Sequence, residues 1–381
     1  MKKHIAIMAT MALALVVGAQ GARADIKLGA ILSISGPAAF LGEPEKRTLE
    51  MLVDQVNASG GINGEKIKLT VYDDGADANK ARTFAQRLID DDGVVAIIGS
   101  TVSGASVAIN AVAADAKIPV MTLGGAVQLA EPVKPWMFKI GHTDRMACQK
   151  IFEDIKAKGG SKVGLIAGTD SFGNSMRTEC IAQAKNYGIT IVADERHGTQ
   201  DSDMTPQLTN IRGAAGLDAV VHCGFGETAT VLTRNYRQMG ITQPLYESHG
   251  VASPGYIKLT GPATEGVKIP APAVLVVDQI PADDPTKKVV TDYATQYKAK
   301  YNEPASMFGG YAYDGFQLLT LAWKNGKTTD PAKTRDEIEK LGTYTGVTGV
   351  IRMKADDHLG LDLTAFKIVE VKGGEYRLGA K

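Results

Sequence analysis

Residues 26–74 read IKLGAILSISGPAAFLGEPEKRTLEMLVDQVNASGGINGEKIKLTVYDD. They hold one complete strand–helix–strand unit. The mostly apolar run 26–33 predicts a strand. Leu49, Leu52, Val53 and Val56 recur at i, i+3, i+4 and i+7, which predicts a helix over residues 44–58. Asn63-Gly64 is a tight turn before a second strand over 66–72. A helix starting near Asp77 places Ala81, Phe84, Ala85 and Leu88 on one face. A short apolar strand, 94–98, ends in Gly99. A helix of small residues, 103–116, and a strand over 119–122 follow. Strands alternating with helices imply a parallel sheet covered on both faces.

The alternation restarts downstream. Helices are predicted over 144–158, 173–186, 204–214 and 228–239, with strands over 162–167, 190–195, 219–223 and 244–247. The stretch 263–284 is rich in Pro and without a clear period, which suits a crossing between units. Helices over 286–301 and 307–323 follow. The expected fold class is therefore α/β, with two Rossmann-like lobes built on parallel sheets.

The other end of the chain sets its compartment. Lys2 and Lys3 precede an apolar run, residues 5–17, and Ala22-Arg23-Ala24 has the form of a cleavage site. This is the layout of a secretory signal peptide over 1–24, and the run is too short to span a bilayer comfortably. No Cys follows it, so a lipid anchor is not expected. The chain from Asp25 carries 39 basic and 42 acidic residues, a net charge of −3. That argues against nucleic acid or an anionic membrane surface as partner. The 357 residues from Asp25 on are too many for one ordinary core. Cys148, Cys180 and Cys223 leave at least one cysteine without an internal partner. They read as buried small apolar side chains, with a single disulfide as the alternative.

In open α/β sheets ligands sit beyond the carboxyl ends of the strands. The loops there are Ser35-Gly36-Pro37, residues 99–104, Gly124-Gly125, residues 170–173, residues 224–227 and residues 248–250. Ser103 opens a helix, so its hydroxyl and the first free N–H groups suit an anion, although Ser is also a common N-cap.

Ile26-Lys27-Leu28-Gly29 leading to Ser35-Gly36-Pro37, residues 57–64, Tyr72-Asp73-Asp74, Ile98-Gly99 and Tyr311-Ala312-Tyr313-Asp314 together resemble the leucine/isoleucine/valine-type periplasmic binding proteins of ABC transporters. The resemblance implies two lobes joined by a three-segment hinge that closes on ligand. It implies a first lobe of about 25–142 plus 274–350 and a second of about 143–273 plus 351–381. It implies a membrane permease as partner, a monomer and no cofactor. It places the ligand carboxylate on Ser103, with backbone contacts from Thr101 and Gly124. Several positions depart from the family pattern. Ala126 stands where a second hydroxyl is usual, Phe172 and Phe225 where Tyr is usual, and Leu41, beside Phe40, where another Tyr is expected. His249 stands where an acidic residue pairs with the ligand ammonium, with Glu247 two residues away as a substitute.

A buried ammonium needs an anionic partner, and His249 cannot supply negative charge. A carboxylate without an α-amino group is therefore the favoured ligand. Phe40, Phe172, Phe225 and Phe308 suggest an apolar, aromatic lining and so an aromatic or 2-oxo acid. A branched-chain or other hydrophobic amino acid is the alternative, and an extracytoplasmic sensor lobe a third class. Enzyme readings find little support. The histidines form no HExxH or other metal spacing, and no GxSxG elbow or Walker A sequence is present. His222 and Cys223 are adjacent on a strand and point to opposite faces.

Overall fold

The computed structural model describes residues 24–379. The signal peptide expected over 1–24 therefore lies outside the described residues, Ala24 excepted. No helix among the described residues is long and apolar enough to cross a membrane.

The first unit runs β1 (Ile26–Leu32), α1 (Ala39–Ala58), β2 (Ile67–Asp73), α2 (Ala78–Arg87), β3 (Ala96–Gly99), α3 (Ser103–Ala116), β4 (Val120–Thr122) and β5 (Met137–Lys139). Its sheet is all parallel, in the order β2-β1-β3-β4-β5. The second unit runs α4 (Asp144–Ala157), β6 (Lys162–Gly168), α5 (Ser171–Ala184), β7 (Thr190–His197), α6 (Thr205–Gly213), β8 (Ala219–Cys223), α7 (Gly226–Gln238), β9 (Leu245–Glu247), α8 (Pro254–Thr260) and β10 (Lys268–Ala271). Then come α9 (Lys287–Tyr301), α10 (Met307–Gly326), α11 (Pro331–Lys340), a small hairpin of β11 (Tyr344–Thr345) and β12 (Val350–Ile351), and finally β13 (Lys367–Lys372) and β14 (Glu375–Leu378). The second sheet has the order β14-β13-β10-β9-β8-β6-β7, with β13 and β14 antiparallel additions at one edge.

Burial explains the strand sequences. Leu28, Ala30, Ile31, Leu32, Ile97 and Ile98 are all buried, as expected of parallel strands covered on both faces. Helix α10 returns to pack on α1, and Thr48 Oγ1 meets Tyr293 Oη of α9 at 2.8 Å. The C-terminal strands return to the second sheet. The chain thus crosses between units after β5, between β10 and α9, and between β12 and β13.

Several elements differ from their expected form. Helix α1 starts at Ala39, five residues early, and keeps Pro44 inside it. A 3-10 turn over Gly36–Ala38 leads into it, and Pro44, at the sixth helical position, leaves the Phe40 carbonyl without its i→i−4 donor. Helix α5 starts at Ser171 because Asp170 caps it, accepting from the N–H groups of Phe172 and Gly173. Phe172 is therefore helical rather than in a loop. The cysteine reading is corrected too. Cys148 of α4 and Cys180 of α5 form a disulfide, because these helices pack side by side and bring the Cα atoms to 5.1 Å. Cys223 is a free, buried thiol.

Candidate ligand-binding site

A cavity of about 30 Å³ lies between the two sheets, beyond the carboxyl ends of their strands. Leu41, Thr101, Val102, Ser103, Leu123, Gly125, Phe308 and Tyr311 line it from the first unit, and Phe172, Phe225, His249 and Gly250 from the second. The lobes touch around it. A Cβ at Gly125 would lie 2.7 Å from Phe172 Cε2 and 2.8 Å from His249 Nε2, so only Gly permits this closure. Gly226, at φ +71°, presses close to the Pro37 carbonyl. Gln128 Nε2 donates to Ser171 Oγ at 3.0 Å across the rim.

The Ser103 hydroxyl sits at the first turn of α3. Val102 is the N-cap residue and supplies no side-chain cap, so the first N–H groups of the helix are open to an anion. Ser103 Oγ accepts from the Ala126 N–H at 3.0 Å. It is therefore not an N-cap, and its own proton is available to a ligand oxygen. Thr101 Oγ1 accepts from the Ser33 N–H at 2.9 Å and donates to Glu45 Oε2 at 2.5 Å. Its hydroxyl is used up, and only the Thr101 backbone is left for a ligand.

Three of the expected site residues do not line the cavity. Gly124 packs its backbone against the start of α3, where a Cβ would meet Ser103 Cα at 2.9 Å. Ala126 is fully buried behind Ser103 and acts through its N–H. Phe40 packs beside Gly255 of α8, partly buried, while Leu41 next to it lines the cavity.

On the second lobe, Phe172 meets Phe225 edge-on at 5.7 Å and His249 at 5.3 Å. His249 is buried, and neither ring nitrogen has a hydrogen-bond partner among the described residues. Burial first, and then the Lys139 ammonium, hold its pKa down to about 3, so the ring is neutral. Glu247 is no substitute for an acid at this position. It is fully buried inside the second lobe, where it accepts from Thr233 Oγ1 at 3.0 Å and lies 2.6 Å from His222 Nδ1. Its side chain does not reach the cavity.

Two charged-type residues near the site escaped the sequence reading. Lys139, at the first crossing, is fully buried and donates to the carbonyls of Ile140, Gly141 and His142 at 3.2, 3.1 and 2.8 Å. Burial lowers its pKa to about 7. Glu45 is fully buried behind Thr101, and its Oε1 lacks a partner among the described residues. Burial raises its pKa well above the carboxylate range. Glu45 follows Leu41 by one turn on a stripe otherwise buried and mostly apolar, which was its only signal.

A family model described as periplasmic binding protein matches residues 25–375. Leu/Ile/Val-binding protein homolog 7 of Brucella abortus is 28% identical over 364 residues, covering 92% of this chain and 89% of that protein. An amino acid binding protein of Pseudomonas aeruginosa is 29% identical over 320 residues, covering 83% and 82%. An extracellular ligand-binding receptor of Rhodopseudomonas palustris HaA2 superposes with a TM-score of 0.86 at 30% identity, covering 93% of this chain and 99% of that one. These are solute-binding proteins rather than enzymes, and the family works outside the cytoplasm. With its two α/β lobes, three crossings and interlobe cavity, this chain belongs to the periplasmic binding protein family, in the type that includes the leucine/isoleucine/valine-binding proteins.

Proposed function

We propose that this protein is the periplasmic substrate-binding component of an ABC importer and carries a small carboxylate that lacks an α-amino group. In this reading the leader is removed after Ala24, and the monomer delivers its ligand to a membrane permease. The lobes comprise about 25–142 plus 274–350 and 143–273 plus 351–381. The observation that carries the reading is the neutral, unpartnered His249 in a cavity whose lining holds no acidic side chain. An ammonium enclosed there would be left without an anion, which is very costly. A carboxylate instead finds the Ser103 hydroxyl and the open start of α3. A keto or hydroxyl oxygen finds the His249 ring N–H.

Phe172, Phe225, Phe308, Leu41, Val102 and Leu123 supply the apolar wall for the ligand body. Aromatic and branched 2-oxo acids are the favoured class. At about 30 Å³ the cavity is smaller than the roughly 150 Å³ that holds benzene, so an aromatic ligand holds the lobes slightly wider apart than seen here. The shared fold does not choose between ligand classes. A branched-chain amino acid transporter substrate binding protein from Streptococcus pneumoniae holds isoleucine, and a solute binding protein from R. palustris holds benzoate, at 24% and 21% identity.

A hydrophobic amino acid is the second reading, and one observation favours it. Glu45 Oε1 is an unpartnered carboxyl oxygen behind Thr101, and it would have to ionise to meet an ammonium. A thermal-shift screen of refolded, ligand-free residues 25–381 separates the two. The panel is leucine, valine, phenylalanine, their 2-oxo acids, benzoylformate and 4-hydroxybenzoate. A ligand at about 100 times its Kd stabilises the fold by about 2.7 kcal/mol. Shifts with the oxo or aromatic acids alone support the first reading, and shifts with amino acids alone support the second.

A further inference from the structure

Beneath the second lobe's half of the cavity lies a buried chain of hydrogen-bonding groups. His197 closes β7, His222 stands on β8 and Glu247 closes β9. All three are buried. His197 Nδ1 lies 2.9 Å from the Gly198 carbonyl. His197 Nε2 lies 3.0 Å from His222 Nε2. His222 Nδ1 lies 2.6 Å from Glu247 Oε2. Thr233 Oγ1 gives its only proton to Glu247 Oε1, so the Tyr256 hydroxyl, 2.7 Å away, donates to Thr233 in turn.

The protons in this chain can be counted. A carbonyl oxygen at one end and a carboxylate at the other both only accept. With Glu247 ionised, both outer ring nitrogens must therefore carry hydrogen; a protonated Glu247 would instead bring the third proton itself and leave His222 Nδ1 bare. A neutral imidazole has one N–H, so two neutral rings would leave two bare lone pairs facing each other at 3.0 Å. Three contacts need three protons, and two neutral rings bring only two.

We propose that His222 carries the third proton as an imidazolium against the Glu247 carboxylate at neutral pH, and that this proton holds in place the two loops that bring Phe225 and His249 to the cavity. The loops rest on the chain directly. A Cβ at Gly224 would lie 2.3 Å from His222 Nε2, so the backbone before Phe225 lies against that ring. Ser248 Oγ donates to the Gly224 carbonyl at 2.5 Å and accepts from the Gly250 N–H at 2.9 Å, which ties the two loops together around His249. Loss of the third proton sets two lone pairs against each other, and the His222 ring cannot keep its place under Gly224.

The groups around the chain are consistent with one proton at the Glu247 end. Burial and then His222 hold His197 down to about 4, with Asp201 opposing and Arg196 assisting. The Tyr256 and Tyr376 hydroxyls, which feel Glu247, are pushed up by burial and stay neutral. The buried Cys223 thiol next to His222 in sequence is likewise pushed up by burial. The inference holds whichever carboxylate the cavity takes.

Nitrogen-15 NMR of the full mature chain tests it without any ligand. At pH 7 both His222 ring nitrogens resonate as protonated, and His197 shows one protonated and one bare nitrogen. As pH rises, the His222 signals titrate, and the Gly224 and Gly250 amides move with the same midpoint. In Glu247→Gln the side-chain amide donates to His222 Nδ1 and its oxygen accepts from Thr233, so two neutral rings satisfy the chain. His222 in that variant shows one bare nitrogen at pH 7 and no titration above it. A bare His222 nitrogen at pH 7 in the unmodified protein overturns the third proton. Gly224 and Gly250 amides that ignore the His222 midpoint overturn its role in placing the loops. The first of these results needs no variant to fold.

Discussion

The Ser103 hydroxyl accepts from the Ala126 N–H, which frees its proton for a ligand oxygen. Ser103→Ala removes that donor from a charged acceptor and should weaken carboxylate binding by about 1–3 kcal/mol, read by calorimetry. An unchanged affinity contradicts the carboxylate assignment. His249 is the complementary residue. His249→Asp places a carboxylate where the neutral ring now stands, and should shift preference from phenylpyruvate towards phenylalanine by at least tenfold. The candidate site was largely legible at this scale, since Leu41, Thr101, Ser103, Phe172, Phe225, His249 and Phe308 all line the cavity. They were legible because they follow strand ends or match a family position. Glu45 and Lys139 were not, since a single polar residue in a buried stretch shows nothing of its partners. Gly124 and Ala126 were misplaced by one layer, because backbone groups behind a site leave no trace in residue type.

Among the elements, α10 shows how a buried carboxylate organises its surroundings. Asp314 Oδ1 accepts from the Val347 N–H at 2.8 Å, and Oδ2 from the Thr348 N–H and hydroxyl at 2.9 and 2.6 Å. Burial nonetheless raises its pKa from 3.8 to about 6. The native state then holds a proton that the unfolded chain has lost, so stability falls as pH rises through that window. The loss attributable to Asp314 is about 3 kcal/mol. Urea unfolding between pH 4 and 6 should show this fall in the unmodified protein and a smaller one in Asp314→Asn. The disulfide between α4 and α5 closes a loop of 32 residues, and replacing both cysteines by Ala should cost about 3 kcal/mol in the same assay. Long periodic helices such as α3 and α4 were legible to within a residue. The three-residue strand β5, the short α8 and the late hairpins were not, because so few residues carry no period.

At the scale of the whole molecule, the three crossings make the lobes two bodies on one hinge. Ligand that contacts Ser103 on one lobe and Phe172, Phe225 and His249 on the other favours the closed arrangement by its differential contacts. Small-angle scattering should therefore show a smaller radius of gyration with bound ligand than without. An unchanged radius contradicts hinge closure. The alternation of strands and helices revealed the lobes but not their interleaving. Nothing in the local pattern of β13 and β14 says that they rejoin the second sheet, which depends on contacts about a hundred residues apart. The central claim is that the interlobe cavity takes a carboxylate and refuses an α-ammonium. Titration calorimetry of the refolded, ligand-free protein with phenylpyruvate and phenylalanine tests it most directly, since the two ligands differ chiefly at that group. The account predicts measurable heat and saturable binding with phenylpyruvate and at least tenfold weaker binding with phenylalanine. Tighter binding of phenylalanine would contradict it.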